Sequence, residues 1–482
     1  MARHASGLQA RGLGNVAAVA IEVPSRSIRA LVGSADFFDI EHDGQVDGTR
    51  ALRSPGSTLK PLLYALAFDR GVVLPDSSVL DVPTDFNGYR VENFDGRYRG
   101  RTTARMALVE SLNTPAVRLL SDVGVAPFLE LLQRGGLSTL DRTADEYGLP
   151  LGLGGGEVRL LDLVNLYASL ADGGRYRSLT WLTDADPGRE VTLVSPWAAE
   201  DVGSILRGLA RPDLPSTWDL TVGAPAVAWK TGTSFGHRDA WAVGFTGRLA
   251  IGVWVGSFDG RAHLGISGGE HAGPILFDLF RALDPGGGPP MPPPGERPRL
   301  ELCAHSRQLP GAYCPERQSF DAYPATRLGL CPLHRRALVD RETGELLLAD
   351  CLRDRPSEWR LFTVEPAELV AFWRAAGREV VDLPPYSRAC RGIPSGRPPR
   401  IVSPDRDTPY RLRPEAPLEF QKIALEAQVA PGVTRLWWYQ DGRLVATGAP
   451  GEALFVPPVR GRHRLVATDD GGRSGVVEYR VE

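Results

Sequence analysis

Strand-like segments stand at both ends of the first 285 residues, and helical segments fill the middle. Residues 15–33 predict two strands joined by a short turn. Residues 226–230, 240–245 and 249–255 predict three more, with turn residues between them. We expect the early and late strands to pair. This pattern predicts an α+β fold, an antiparallel sheet with a helical lobe inserted into it, and a cleft between lobe and sheet where a site should lie.

The rest of the chain divides at breaks rich in proline and glycine. A chain of 482 residues is too long for one ordinary core, so two or three domains are expected. Residues 284–298 form a proline- and glycine-rich linker, and residues 392–399 form a second break. Short alternating segments with turn signals follow, as in a small β-sandwich. The predicted parts are a first domain at 1–285, a linker at 286–299, a cysteine-containing segment at 300–395 and a β-sandwich module at 396–482.

The overall charge excludes some classes of partner. The net charge is −3, and no long basic or acidic block occurs. Composition therefore gives no reason to expect nucleic acid or a polybasic membrane contact, and we predict no nucleic-acid partner. The sequence also shows no export signal and no apolar run long enough to span a bilayer.

A serine and a lysine three residues apart open a helical segment. Ser57 and Lys60 flank Thr58-Leu59, and Pro61 follows directly. Because proline is tolerated in a helix only near its start, the helix should begin at about Ser57, with the lysine amine within reach of the serine hydroxyl. The positive end of the helix would then face whatever Ser57 attacks. Alone the motif is weak, since a helix cap followed by a solvated lysine is the ordinary interpretation.

The lysine content makes the motif more informative. The 55 basic residues include three lysines, Lys60, Lys230 and Lys422, so nearly every other cation is arginine. Where lysine persists against such a bias, the position should need what arginine cannot supply, which is a proton given up at moderate pH or a compact point charge. Lys60 suits the first role and Lys230 the second.

Two further motifs follow Ser57-x-x-Lys60 along the chain. Ser111-x-Asn113 falls in a predicted break between two helices, with Thr114 expected to cap the second helix and Pro115 to open it. Lys230-Thr-Gly232 ends a predicted strand. The order and spacing resemble the penicillin-binding proteins and serine β-lactamases, in which three such elements meet around one serine. The longer segments 53–61, 93–100, 111–116 and 229–241 resemble the transpeptidase half of a class A penicillin-binding protein of the 1C type.

Each motif residue has a physical role in acyl transfer. Ser57 would be the nucleophile, and Lys60 its base if burial and the second cation, Lys230, lower the pKa of its amine. Ser111 would relay a proton and Asn113 would orient Lys60 and the substrate. In the third motif, Lys230 with Thr231 or Thr233 would bind the substrate carboxylate. Gly232 would leave room for an extended peptide. The backbone N–H groups of Ser57 and Thr233 would form the oxyanion hole.

The resemblance implies a substrate and a setting. It implies a serine transpeptidase that acts on the D-Ala-D-Ala end of peptidoglycan stem peptides, is acylated by β-lactams and needs no cofactor or catalytic metal. It also implies a site outside the cytoplasmic membrane, and cell-wall synthesis proteins as partners of the C-terminal module. A DD-carboxypeptidase and a non-catalytic β-lactam sensor or scaffold stay open as alternatives, while a β-lactamase would be a shorter single domain.

Class A members also carry a membrane anchor and a glycosyltransferase domain ahead of the transpeptidase. Neither occurs in this sequence, which an excised or a naturally shorter chain would both explain. We therefore expect no glycan polymerisation from it.

The five cysteines all lie after residue 300. They are Cys303, Cys314, Cys331, Cys351 and Cys390. Since the resemblance implies an oxidising compartment, we expect disulfides between Cys303 and Cys314 and between Cys331 and Cys351, with Cys390 left over. A zinc site is the second interpretation, because Cys331-Pro-Leu-His334 with the first two cysteines has the ligand types of one.

Two loop segments are ambiguous. Residues 93–100 are equally compatible with a loop on the substrate side and with a packed irregular crossover. The glycine-rich residues 151–156 lack the Lys-Ser/Thr of a phosphate loop, so they predict a tight turn leading into a helix.

Overall fold

The computed structural model describes most of the chain. The described residues are 2–86, 89–181, 188–214, 225–288, 295–347, 355–381, 383–385, 387, 398–406, 409–413, 421–430, 432–470 and 473–482. They group into two units. The first comprises Met1–Thr84, Val91–Pro310 and Cys314–Cys331, and the second comprises Asp85–Arg90, Gly311–Tyr313 and Pro332–Glu482.

The helices of the described residues lie mostly in the middle of the first unit. They are α1 (Ala2–Gln9), α2 (Lys60–Asp69), α3 (Ala104–Val109), α4 (Asn113–Val123), α5 (Val125–Arg134), α6 (Ala144–Tyr147), α7 (Leu160–Ala171), α8 (Pro196–Arg207), α9 (Gly273–Leu283) and, in the second unit, α10 (Ala367–Ala375). Within the described ranges, no helix combines the length and apolar character needed to cross a bilayer.

The strands of the described residues fall into two groups along the chain. Those up to residue 321 are β1 (Asn15–Glu22), β2 (Ile28–Val32), β3 (Ser78–Asp81), β4 (Thr84–Phe86), β5 (Tyr89–Val91), β6 (Gly100–Thr103), β7 (Arg175–Tyr176), β8 (Val191–Thr192), β9 (Ala228–Thr233), β10 (Asp239–Phe245), β11 (Leu249–Gly256), β12 (Arg299–Cys303) and β13 (Arg317–Asp321). Those that follow are β14 (His334–Asp340), β15 (Leu346–Leu347), β16 (Ser357–Thr363), β17 (Arg400–Ser403), β18 (Ile423–Gln428), β19 (Leu436–Gln440), β20 (Arg443–Gly448), β21 (Leu454–Val456), β22 (Gly461–Asp469) and β23 (Ser474–Val481).

The main sheet joins the two ends of the first unit. Its strand order is β2-β1-β11-β10-β9, and every neighbouring pair is antiparallel. Strands β10 and β11 are buried along their whole length, which is why their sequences are continuous apolar runs rather than alternating ones. Helix α7 packs so closely on the sheet that a Cβ at Gly252 would lie 2.2 Å from the Val164 side chain. The predicted α+β fold with an inserted helical lobe is confirmed.

Helix α2 runs through the core of the helical lobe. All residues from Lys60 to Phe68 are buried, so the helix shows no polar face. The chain enters it through a 3₁₀ turn, Gly56–Leu59. The predicted start near Ser57 is therefore confirmed, although Ser57 lies on the 3₁₀ turn and Lys60 is the first residue of the α-helix.

The predicted start of the next motif helix is wrong by two residues. Helix α4 begins at Asn113, with Leu112 at the N-cap, rather than at Pro115 with Thr114 as the cap. The reason is a contact from outside the helix, because the Asn113 backbone amide donates to the Asn93 side-chain oxygen at 2.7 Å. This hydrogen bond satisfies an N–H group at the helix start that a capping residue would otherwise satisfy.

The cysteines do not form the disulfide expected between Cys303 and Cys314. Cys303, Cys314 and Cys331 form no disulfide among the described residues. Instead their sulfurs converge with the His334 ring, and all four ligand atoms lie within 4.8 Å of one another. A convergence of four ligands, rather than of two sulfurs, is the physical reason that the pairing prediction fails. Cys351 and Cys390 lie outside the described residues.

The second unit is built mainly from antiparallel sheets. Strand β14 lies between β15 and β16, and the C-terminal strands form two sheets, β17-β18-β21 and β20-β19-β22-β23. These two sheets share one apolar core that includes Leu425, Trp438 and Leu465. The predicted β-sandwich is confirmed. The exact domain boundaries stay a prediction.

Candidate active site

The 3₁₀ turn aligns Ser57 with Lys60. Side chains three residues apart eclipse one another in this kind of helix, so the half-buried Ser57 and the buried Lys60 project from the same side of the chain. No hydrogen bond joins the Ser57 hydroxyl to the Lys60 amine or to any other described residue. The predicted direct contact between the two side chains is thus absent here.

Buried side chains from distant elements fix the backbone of this turn. The Trp241 indole N–H donates to the Ser54 carbonyl at 2.9 Å, and the Tyr167 hydroxyl donates to the Thr58 carbonyl at 2.7 Å. Trp241 and Tyr167 are both fully buried. The position of Ser57 is therefore set by the main sheet and by α7, and not by the turn alone.

Glycines allow strand β9 to lie directly against the turn. A Cβ at Gly232 would lie 2.4 Å from the Pro55 carbonyl oxygen, and one at Gly56 would lie 2.5 Å from the Thr233 carbonyl oxygen. Gly56 also has a φ of +53°, which glycine adopts without strain. The missing side chain at Gly232 thus makes room for the turn that carries Ser57, and its role toward a bound peptide stays a prediction.

The glycine-rich segment 151–156 supports the same turn from its other side. It contributes the 3₁₀ helix Leu149–Leu153, and a Cβ at Gly154 would lie 2.3 Å from the Gly56 nitrogen. The Ser54 hydroxyl donates to the Gly154 carbonyl at 2.8 Å. The segment is thus a turn packed on the loop that carries Ser57.

Lys60 is held by the second motif. Its Nζ donates to the Ser111 carbonyl oxygen at 2.6 Å and to the Asn113 side-chain oxygen at 2.7 Å, with a longer contact of 3.4 Å to the Ser111 hydroxyl. Ser111 adopts a φ of +55°, an uncommon conformation for a residue with a side chain. This backbone turns both the carbonyl and the hydroxyl of Ser111 toward the lysine.

The environment strongly favours a neutral Lys60 amine. Burial lowers its pKa well below the usual value, the charge of Lys230 lowers it further, and the carboxylate of Asp81 acts in the opposite direction. Burial also lowers the pKa of Lys230, to about 7. The shift at Lys60 has the direction that the sequence analysis predicts for a base.

Lys230 lies in the edge strand β9 and is fully buried. Its Nζ donates to the Thr231 carbonyl at 3.0 Å and lies 3.5 Å from the Thr231 hydroxyl. The Thr233 hydroxyl, in contrast, accepts a hydrogen bond from the Gly268 amide at 3.4 Å. Thr231 is therefore the threonine that shares its surroundings with the lysine amine.

Two residues that the sequence analysis did not assign to the site complete it. The Asn93 side chain accepts from the Asn113 amide and donates to both carboxylate oxygens of Asp81 at 2.9 Å. Asp81 and Asn93 are buried. Burial raises the pKa of Asp81, and the hydrogen bonds from Asn93 and from the Arg99 amide lower it. Asn93 thus connects the buried Asp81 carboxylate to Asn113, the residue that holds Lys60. The signal in the sequence that pointed to Asn93 was its place in the segment 93–100.

Comparisons with known proteins identify relatives of this chain. A family model described as the penicillin-binding protein transpeptidase domain matches residues 16–247, and one described as the penicillin-binding protein C-terminus family matches residues 390–478. Penicillin-binding protein 1C of Escherichia coli (strain K12) is 32% identical over 481 residues, which cover 96% of this chain and 61% of that protein. Penicillin-binding protein 1A of Neisseria cinerea is 30% identical over 294 residues, which cover 56% of this chain and 36% of that protein.

Solved structures share the fold. Penicillin-binding protein 1A from Haemophilus influenzae matches with a TM-score of 0.50 and 21% identity, covering 66% of this chain and 54% of that one. The PonA1 protein from Mycobacterium tuberculosis in complex with penicillin V matches with a TM-score of 0.50 and 23% identity, covering 61% and 86%. The chain spans about three fifths of the 1C relative's length and about a third of the 1A relative's.

Proposed function

Since the chain belongs to the penicillin-binding proteins, we propose that it is a serine DD-transpeptidase that cross-links peptidoglycan stem peptides through a Ser57 acyl-enzyme and is acylated by β-lactams. The observation that carries this proposal is the buried Lys60 amine, held by Ser111 and Asn113, one helical turn after Ser57 and beside a second buried amine, Lys230.

Lys60 acts as the general base. The Ser111 carbonyl and the Asn113 side-chain oxygen only accept hydrogen bonds, so they commit two N–H groups of the amine. A neutral amine then has its lone pair left for the Ser57 proton. As that proton moves to Nζ, the Ser57 oxygen attacks the carbonyl carbon of the penultimate D-Ala. The lowered pKa of Lys60 makes the neutral form accessible at moderate pH.

Collapse of the tetrahedral intermediate releases D-Ala. The proton on Lys60 passes through the Ser111 hydroxyl, at 3.4 Å, to the departing nitrogen. The backbone N–H groups of Ser57 and Thr233 stabilise the oxyanion, worth about 3 kcal/mol for each donor. An amine from a neighbouring stem peptide then attacks the acyl-enzyme, which forms the new amide bond and restores the Ser57 hydroxyl.

Lys230 and Thr231 recognise the substrate's terminal carboxylate. The protonated Lys230 supplies the opposite charge, and the Thr231 hydroxyl 3.5 Å away supplies a further donor. Because a transpeptidase and a carboxypeptidase share all of these groups, the difference between them is whether an amine or water attacks the acyl-enzyme.

Labelling with a fluorescent penicillin tests the nucleophile. We expect the full chain to be labelled and Ser57→Ala to lose the label completely. Ser121→Ala is the matched control, because Ser121 is an exposed serine on α4. Equal labelling of the wild type and Ser57→Ala would refute the assignment.

Product analysis separates the alternatives. A D-Ala-D-Ala peptide is incubated with the chain and an acceptor amine. A transpeptidase gives the new amide, a carboxypeptidase gives the shortened acid, and a sensor forms the penicilloyl adduct without turning over the peptide.

The C-terminal module and the cellular site complete the proposal. We propose that the β-sandwich module binds cell-wall synthesis proteins and that the chain acts outside the cytoplasmic membrane. The match of residues 390–478 to the C-terminus family supports the first proposal, and the nature of the substrate supports the second.

A further inference from the structure

Three thiols and one imidazole converge outside the catalytic site. The sulfurs of Cys303, Cys314 and Cys331 and a ring nitrogen of His334 all lie within 4.8 Å of one another. Cys303 and His334 are buried, and Cys314 and Cys331 are half-buried. None of the residues used in acyl transfer belongs to this cluster.

Tight hydrogen-bonded turns set the cysteines in place. Cys303 ends β12, and its carbonyl accepts from the Arg307 amide at 2.9 Å across a turn in which Arg307 has a φ of +57°. The sulfur of Cys303 accepts hydrogen bonds from the His305 and Ser306 backbone. The turn therefore fixes the direction in which the Cys303 sulfur points.

The second pair of ligands comes from one short segment. The Cys331 amide donates to the Leu309 carbonyl at 2.7 Å, and the Leu309 amide donates to the Gly329 carbonyl at 2.9 Å, so the end of this segment is fixed against the first turn. His334 follows Cys331 after two residues, the short spacing that is common between zinc ligands.

We propose that Cys303, Cys314, Cys331 and His334 bind one Zn²⁺ ion in a closed, structural site. Three thiolates and one imidazole are a standard tetrahedral zinc set, and a set without oxygen ligands disfavours Mg²⁺ and Ca²⁺. With Zn–S bonds of about 2.3 Å, the sulfurs of a tetrahedral site lie roughly 3.8 Å apart. Because the ligand atoms already lie within 4.8 Å of one another, they need to move inward only slightly to bind the ion.

Disulfide formation explains the cluster less well. A disulfide would use two of the three sulfurs and leave a third sulfur and the imidazole without a role. Since the protein fills all four positions of the tetrahedron, no position is open for a substrate, and the ion would stabilise the chain from Cys303 to His334.

Metal analysis of the full chain tests the proposal. Protein purified without chelator and with zinc present should contain about one Zn²⁺ per chain by elemental analysis. Cys314→Ser and His334→Ala should each lower the zinc content at least tenfold at a fixed concentration of competing chelator. Cys390→Ser is the matched control and should keep the wild-type content. Fluorescent penicillin labelling checks that each variant keeps a folded Ser57 site.

Cobalt substitution supplies a second readout. Co²⁺ in the wild type should show the intense visible absorption of a tetrahedral thiolate site, and His334→Ala should shift that absorption. Zinc below a tenth of an equivalent in the wild type would overturn the proposal. A disulfide between any two of the three cysteines in a non-reducing peptide map, or unchanged zinc content in Cys314→Ser, would overturn it equally.

Discussion

At the residue scale, the proposed mechanism needs the two buried lysines, Lys60 and Lys230, in opposite protonation states. Lys60 must be neutral to take the Ser57 proton, whereas Lys230 must be charged to hold a carboxylate. Burial lowers the pKa of both amines, and the charge of Lys230 adds to the effect on Lys60. In the active form, Lys60 is therefore neutral and Lys230 is protonated.

The pH dependence of acylation follows from this pair. The second-order rate constant for penicillin acylation should fall at low pH as Lys60 becomes protonated, and fall above about pH 7 as Lys230 loses its charge. Each limb should approach a slope of about tenfold per pH unit. Stopped-flow measurement of penicillin acylation from about pH 5 to about pH 9 gives this pH profile.

Two controls identify the alkaline limb. Arginine keeps its charge throughout this range, so Lys230→Arg should lower the rate overall but lose the decline above about pH 7. A penicillin ester, which has no carboxylate, should lose the same decline with the wild type. An alkaline limb that persists in both cases would contradict the role of Lys230.

Asn93 should act as a positioning residue. Asn93→Ala removes the acceptor of the Asn113 amide and the donor to Asp81, at a cost of about 1–3 kcal/mol for buried hydrogen bonds. We expect acylation to slow by roughly tenfold to a hundredfold, with the acid limb of the pH profile displaced because Asp81 and Lys60 lose their alignment. Stopped-flow acylation with penicillin measures both effects.

A second buried asparagine provides the control for Asn93. Asn165 lies on α7, and Asn165→Ala removes a buried side-chain amide that donates to the Arg177 carbonyl rather than to a group that holds Lys60. It should lower stability without displacing the pH profile. An Asn93→Ala variant with an unchanged profile would mean that the contact is only structural.

The sequence indicates the proposed reacting groups more directly than it indicates the residues that support them. Ser57, Lys60, Ser111 and Asn113 share short local motifs, and lysine scarcity singles out two of the amines. Asn93 contacts its partners only through the fold, since Asp81 lies in β3 and Asn113 begins α4. No spacing rule could assign it to the site.

At the element scale, the site depends on how closely β9 approaches the 3₁₀ turn. Gly232 faces the Pro55 carbonyl and Gly56 faces the Thr233 carbonyl, so backbone packs on backbone without intervening side chains. This arrangement places the edge strand with Lys230 beside the nucleophile turn.

Gly232→Ala should therefore separate the two elements. Its Cβ would lie 2.4 Å from the Pro55 oxygen and 2.8 Å from the Thr58 methyl carbon, and overpacking of this kind costs about 1–3 kcal/mol. We expect penicillin acylation to fall at least tenfold and the melting temperature to decrease. Gly269→Ala is the control, because nothing lies within 4 Å of a Cβ there. Wild-type acylation by Gly232→Ala would show that the close approach is unnecessary.

Elements with a strong local pattern were predictable, and element ends were not. The apolar runs of β10 and β11 fixed the sheet assignment because burial on both faces leaves no alternation. The start of α4 was misplaced because the Asn93 side chain, twenty residues earlier, serves the helix end in place of Thr114. The contact of Gly232 with the Pro55 carbonyl was not predicted, because the space beside a glycine depends on what the fold packs there.

At the scale of the whole molecule, the described residues contain two separate apolar cores. One includes the main sheet and the helical lobe, and the other includes Ile423, Trp438 and Leu465 of the β-sandwich. No residue of the proposed acyl-transfer machinery belongs to the second core. Stability of the sandwich and reactivity of Ser57 should therefore respond to different substitutions.

Trp438→Ala tests this separation. Trp438 is 1% exposed, so truncation should cost the sandwich about 3–5 kcal/mol. Calorimetry should show a transition shifted to lower temperature while penicillin labelling of Ser57 is unchanged. Trp359→Ala, at a tryptophan that is 57% exposed, is the control and should change stability little. Loss of labelling in Trp438→Ala would contradict the separation.

The burial of two of the three lysines has a practical consequence for conjugation chemistry. Acylating reagents such as succinimidyl esters need an accessible amine, and Lys60 and Lys230 are fully buried while Lys422 is exposed. Among lysine side chains, a dye or a surface tether would attach at Lys422, in the sandwich rather than at the reactive serine. A conjugate made in this way would carry its tag at one defined lysine with Ser57 still open to inhibitors.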